Sequence, residues 1–411
     1  MKIVKPRQVI YPSNLSKILL GSIYPKELNE DEFSDFLKNE LKIDKEFCLL
    51  STNKARVGIY LIIKYLIKKK NKKKFLISPL TVFDVINMII LAGGEPIFID
   101  YHNLENFNCN TKQLNQHNDI NGIIICNYQL NSNIKEIAEW ASERKVDIIQ
   151  DCAISICSQI NNKSIANYSD YSVFSFNLFK FINSIHGGAI VFKDQKFKLF
   201  VSEETKNWSL YNFKDLIPYY LKGIQAKILT NIFIFNFFTF NLFKFGDLFK
   251  INFIKKLSKN DPYPHLKTKL PNNYQKKMNF SQQKEIMNQV KQMNKLMSFR
   301  KKNFALLNKL IINEKLTKLQ NLSEENNSSY INFPLIIKYK EKEKFSEYLY
   351  KNRVDHAKYF YRDCSSLSCF SKYNINCFYS RNISDDIIII PIHHKLGEKE
   401  IEQISNIINK Y

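Results

Sequence analysis

Acidic side chains are scarce in this sequence: 39 Asp and Glu stand against 61 Lys and Arg over 411 residues, a formal charge of +22. That imbalance points to an anionic partner such as nucleic acid, anionic lipid or a phosphorylated ligand. Tracts such as KKKNKKKF (68–75) and NKLMSFRKKN (294–303) read equally well as lysine-rich solvated faces. No nucleic-acid recognition motif accompanies the charge, so nucleic acid is not expected as a partner. Metal-ligand spacing is also missing. The eight cysteines include no CxxC pair, and Cys364, Cys369 and Cys377 have no nearby histidine, so no metal site is expected. The opening MKIVKPRQVIYPSN lacks an apolar signal-peptide core, which gives the expectation of reduced thiols and a cytoplasmic location. No internal repeat is visible.

What is present is a globular chain with 45% hydrophobic residues, long enough for two domains. Short β-rich runs recur between residues 75 and 192: FLIS (75–78), PIFID (96–100), GIIIC (122–126), DIIQD (147–151), YSVFSF (171–176) and AIVF (189–192). Helical patterns lie between them at ARVGIYLIIKYLIKK (55–69), TVFDVINMIILAGG (81–94) and NIKEIAEWASERK (133–145). Strands alternating with helices predict an α/β fold around a mostly parallel, mixed sheet, spanning about residues 1–200. Residues 201–270 form an aromatic-rich insertion. Within it, ILTNIFIFNFFTFNLF (228–243) is uncharged but short and interrupted by asparagines for a transmembrane helix. Two readings stay open for residues 228–254: an interfacial helix on a membrane surface, and a buried core or interface insertion. Residues 271–411 predict a smaller C-terminal α/β domain, entered through a helical stretch at 281–311.

Chemistry in an open parallel sheet is expected at the C-terminal strand ends. DIIQD ends in Asp151, and YSVFSF carries Ser175 and leads to Lys180, set between Phe179 and Phe181. A buried ammonium is costly unless paired or neutral. The first βα unit, LLSTNKARVGIYL (49–61), enters a helix whose N-terminus is an anion site of the kind phosphate occupies. A lysine, a carboxylate and a phosphate cradle together are what pyridoxal 5′-phosphate requires.

QDCAIS (150–155), SDYSVFSFNLFK (169–180) and IHGGAIVF (185–192) resemble successive motifs of the DegT/DnrJ/EryC1/StrS family. Its members are fold-type I, pyridoxal-phosphate-dependent aminotransferases acting on nucleotide-linked keto sugars, and they work as homodimers. The resemblance implies that Lys180 forms a Schiff base with the cofactor and that Asp151 pairs with its ring nitrogen. Ser175 and the Ala55-Arg56 pair would bind its phosphate. Phe83, in ISPLTVFDVINMIILAGGEPIFID (77–100), and Ala153 would pack on the two faces of its ring. PNNYQKKMNFSQQ (271–283) places Gln275 where an asparagine usually reaches the phosphate of the partner subunit, and IIIIPIHHKLGEKEIEQI (387–404) matches a second-domain signature. Ile154 stands where Gln or His is usual, and His186 where Asp is usual; the latter is read as structural. His393 and His394 are read onto a terminal strand and are not assigned to the site. Amino transfer from glutamate to a nucleotide-linked keto sugar is therefore the expected activity. Another reaction of the same cofactor (lyase, desulfurase or amino-acid aminotransferase) and a non-catalytic cofactor-binding regulator are the alternatives.

Overall fold

The computed structural model describes residues 5–6, 13–104, 107–128, 133–249, 251, 263–318, 326–338, 341–358 and 362–411. Seven strands build one sheet: β1 (Cys48–Thr52), β2 (Lys74–Ile77), β3 (Glu95–Phe98), β4 (Ile120–Cys126), β5 (Asp147–Asp151), β6 (Tyr171–Ser175) and β7 (Gly188–Phe192). Their spatial order is β1-β7-β6-β5-β4-β2-β3. β7 runs antiparallel to both its neighbours, and the remaining pairs are parallel. Consecutive residues face opposite sides of the sheet. Leu76, Ile123, Ile125 and Ile148 pack with Phe33, Ile137 and Ile286 from helices Glu30–Leu41, Ile134–Arg144 and Phe280–Val290. Phe75, Ile77, Ile124 and Ile149 pack instead with Ile62 and Ile86 from helices Ala55–Lys70 and Phe83–Leu91. Burial on both faces is why these strands read as unbroken apolar runs.

A second, three-stranded antiparallel sheet (Leu316–Lys318, Phe333–Ile337, Ile387–Ile390) forms its own core with helices Met293–Leu310 and Glu398–Asn409. The stretch 281–311, expected to be helical, is two helices with a break at Lys291–Gln292. Ile286, Val290 and Met293 belong to the large core, and the second helix then carries Leu307 into the small one. The division at residue 200 falls inside helix Gln195–Thr205, whose Phe197 and Val201 pack on the large sheet.

The aromatic-rich stretch folds as helix Phe213–Leu229 followed, after a bend of 63°, by a helical run over Ile232–Leu248. No single helix among the described residues is long and apolar enough to cross a membrane. One side of the run docks on the small domain: Phe235 and Phe240 pack with Tyr350, and Tyr350 Oη donates to Asp247 at 2.6 Å. The other side leaves Phe233, Phe237, Phe238, Phe245 and Phe249 exposed. Residues 250 and 252–254 of the 228–254 stretch lie outside the described residues.

β7 explains the Gly-Gly pair. A Cβ on Gly188 would come within 2.6 Å of the Ala55 backbone N and 2.7 Å of Thr52 Oγ1, so β7 can meet the start of helix Ala55–Lys70 only without a side chain there. Gly187 has φ +153°, and its Cβ would meet Met278 Sδ at 2.7 Å. Gly188→Ala should therefore cost about 1–3 kcal/mol of stability, the usual range for overpacking. Urea unfolding would read the loss, and an unchanged midpoint would show that the contact yields.

Candidate active site

The ends of β5, β6 and β1 and the start of β7 meet at one sheet edge. Asp151 is opposite Cys126 and Val173, Ser175 is opposite Gly188, and Gly188 is opposite Thr52. After Ser175 the chain closes a tight loop. Ser184 N donates to Phe176 O at 2.9 Å, Leu178 N to Ile185 O at 3.1 Å, and Lys180 N to Asn177 O at 2.8 Å. This loop holds Lys180 beside a small cleft whose lining includes Ala153, Ile154, Ser175, Phe179 and Arg300.

Lys180, which lines the cleft, and Asp151, at the end of β5, are buried opposite charges that influence each other. Burial pushes the Lys180 ammonium down to about 8; Asp151 works against that shift and Arg56 adds to it. Burial pushes the Asp151 carboxyl up, opposed by a 3.0 Å hydrogen bond from Ala153 N and by the charges of Lys180 and Arg56. The amine therefore becomes nucleophilic nearer neutral pH than an exposed lysine does.

Arg56 stands in the first turn of helix Ala55–Lys70, whose N-terminus carries no side-chain cap. Its guanidinium pairs with Asp84, and Nη1 donates to Tyr274 Oη at 3.2 Å. Lys267 pairs with the same carboxylate, and Tyr274 Oη donates to it at 2.6 Å. Burial alone would raise Asp84, yet Arg56, Lys267 and Tyr274 hold it down to about 2.

The structure thus brings Ala153, Ser175 and Lys180 to one cleft, with Asp151 and Arg56 in the same electrostatic neighbourhood. Ile154 lines that cleft as well. Phe83 is buried at the start of helix Phe83–Leu91, with the His265 ring 5.9 Å away and Lys267 Nζ 5.9 Å above it. Gln275 is exposed and donates to Leu270 O at 3.4 Å. His186 is buried against Tyr211 and Tyr219, a packing position. His393 and His394 follow the strand ending at Ile390 rather than lying on it, and the His393 ring hydrogen-bonds Pro6 O at 2.7 Å. The strand stops there because backbone pairing with Phe333–Ile337 ends at Ile390.

Sequence reasoning missed Asp84, Lys267, Arg300 and Lys54. Lys54 had a local signal: it occupies the N-cap position of a long apolar helix, where Ser, Thr, Asp or Asn is the ordinary choice. Arg300 had none, because it arrives from the helix that begins the second core.

A family model described as the DegT/DnrJ/EryC1/StrS aminotransferase family matches residues 26–202 and 255–409, leaving out 203–254. Among curated proteins, the UDP-4-amino-4,6-dideoxy-N-acetyl-beta-L-altrosamine transaminase of Campylobacter jejuni (serotype O:23/36) is 28% identical over 181 residues, 43% of this chain and 47% of that protein. GDP-perosamine synthase of Escherichia coli O157:H7 is 29% identical over 123 residues, 29% of this chain and 34% of that protein. The chain spans about half the length or less of the curated relatives it matches. Of the solved structures, Helicobacter pylori PseC, an aminotransferase involved in the biosynthesis of pseudoaminic acid, superposes with a TM-score of 0.72 at 15% identity, covering 100% of this chain and 99% of that one. Sugar aminotransferase CalS13 from Micromonospora echinospora gives 0.71 at 12%, covering 100% of both chains. At these identities the likeness is one of fold.

Labelling of Lys180 by an amine-reactive reagent, followed by peptide mass spectrometry, should be half-maximal near pH 8, about two units below an exposed lysine. Asp151→Asn removes the charge that supports the ammonium, so the midpoint should fall further. A midpoint above pH 10 would show a solvated lysine.

Proposed function

We propose that this chain, which belongs to the DegT/DnrJ/EryC1/StrS aminotransferase family, is a pyridoxal-phosphate-dependent aminotransferase acting on a nucleotide-linked keto sugar. Glutamate is the proposed amino donor. The observation that carries the reading is the lowered Lys180 amine beside Asp151, with a cationic helix start at the same sheet edge. The names of the relatives, which specify UDP- and GDP-linked amino sugars, support the substrate class.

The donor set suits the cofactor. Bound there, pyridoxal phosphate supplies an aldehyde for condensation with amines and a ring that accepts electron density. Lys180 Nζ would accept the proton lost from the donor's Cα and return it later, which a group near pKa 8 can do in both directions. Asp151 would face the ring nitrogen and hold its proton. Ala153 and Phe83 would bound the ring, and Ser175 Oγ, the Ala55 and Arg56 amides and the Arg56 side chain would receive the phosphate. The functional unit in this reading is a cytoplasmic homodimer. The exposure of Gln275 supports its reaching a neighbouring subunit's phosphate.

The hairpin outside the family match favours a second location, the surface of an anionic membrane. Phe233 and Phe237 are 73% and 72% exposed, Phe238, Phe245 and Phe249 join them, Lys244 lies along the same run, and Lys227 lies near the end of the preceding helix. Exposed aromatics with flanking lysines on a chain of +22 suit an anionic interface.

Protein loaded with pyridoxal phosphate should show a visible absorption band that glutamate bleaches and that Lys180→Ala never forms. A band indifferent to glutamate would assign a different reaction of the cofactor, and no band in wild type would remove the reading. For the membrane, phosphatidylserine vesicles should co-sediment wild type, with several-fold less of a Phe237→Asp/Phe238→Asp double variant. Wild type left in the supernatant would dispose of that location.

A further inference from the structure

Lys54 lies immediately before helix Ala55–Lys70 and bridges to Gly187, so it sits at the same sheet edge as Ser175. It is only 8% exposed. Its Nζ donates to Tyr211 Oη at 3.3 Å and stands 5.8, 5.6 and 5.3 Å from the ring centroids of Tyr211, Tyr219 and Tyr274. Burial drives this ammonium down to about 7; Arg56 lowers it further, and Asp84 opposes the shift.

The charges around it do not balance. Lys54, Arg56 and Lys267 are gathered about one carboxylate, Asp84, which already pairs with the other two. Among the described residues no carboxylate lies within ion-pairing reach of Lys54. Three aromatic faces offset only part of the cost of a buried cation. The positive end of the helix dipole adds to the excess. A separate observation points the same way. His186 is 5% exposed, its Nδ1 is engaged with Asn177 Oδ1 at 3.0 Å, and its buried Nε2 has no hydrogen-bond partner. The imidazole lies against Tyr211 and Tyr219, two of the rings that enclose Lys54.

We infer that Lys54 is a ligand-binding ammonium that leaves its tyrosine cage to take a phosphate ester, with His186 packed on two of the same tyrosines. The inference rests on the aminotransferase reading for what brings the phosphate. Two sources share that chemistry: the 5′-phosphate of the cofactor and the diphosphate of a nucleotide sugar.

The test compares wild type, Lys54→Met and Lys54→Arg in binding pyridoxal 5′-phosphate, pyridoxal and UDP, by fluorescence or equilibrium dialysis. Losing one charge-assisted contact should weaken the phosphate-bearing ligand roughly 10- to 100-fold in Lys54→Met, with partial recovery in Lys54→Arg. Loss confined to pyridoxal phosphate, with pyridoxal unchanged, assigns the site to the cofactor. Loss confined to UDP assigns it to the substrate. Equal affinities for all three ligands across the variants overturn the inference. A second measurement needs no variant to fold: in wild type, inorganic phosphate should slow amine labelling of Lys54, and no protection overturns the inference. In a protein that takes up no pyridoxal phosphate the aminotransferase reading falls, while protection of Lys54 by inorganic phosphate still decides this one.

Discussion

Asp84 receives Arg56, Lys267 and the Tyr274 hydroxyl on one buried carboxylate, and through it three remote segments are tied together. The helix after β1, the helix starting at Phe83 and the segment 263–275 would otherwise bring cations together with nothing to hold them. A lone carboxylate in this position would protonate; two cations keep it ionised, and it fixes where they stand. The sheet edge at the start of helix Ala55–Lys70 inherits its shape from that arrangement. Segment 263–270 is held down further by Asn87, which exchanges hydrogen bonds with His265 O and Lys267 N.

The second balance is between Lys180 and Asp151. Burial acts on both in the direction of neutrality, and each supports the charge of the other. Burial is the larger influence on Lys180, and Asp151 offsets only part of it. Arg56, nearby but committed to Asp84, adds to the effect of burial on the amine and favours the ionised form of the carboxylate. The same side chain thus serves two balances at once, and the anion site and the amine are electrostatically linked.

How much of this could be read in the sequence follows from where each signal resides. Asp151, Ser175 and Lys180 are marked by order along the chain, since each closes or follows an apolar strand. The strands themselves are visible because both of their faces are buried. The reversed direction of β7 has no such mark: AIVF is equally apolar whichever way it runs, and its sense is set by the short loop returning from Lys180. Lys54 is legible only as an odd N-cap, because its cage is built by Tyr211, Tyr219 and Tyr274, over 150 residues away along the chain. In 228–243 Phe and Ile occur on all sides, so periodicity cannot separate the face that meets Tyr350 from the face left in solvent.

The contact between Gly188 and Ala55 has a mechanical consequence. The loop bearing Lys180 returns straight into β7, and the first residue of β7 abuts the first residue of the helix that would hold a phosphate. The span between the amine and the helix start is therefore set by the hydrogen-bonded backbone from Lys180 to Gly188 and by the contact of Gly188 with Ala55. A larger or smaller ligand cannot be accommodated by stretching it. Adaptation has to come from the side of Tyr211 and Tyr219, which are borne on parts of the chain outside the sheet. This divides the site into one jaw that measures and another that yields.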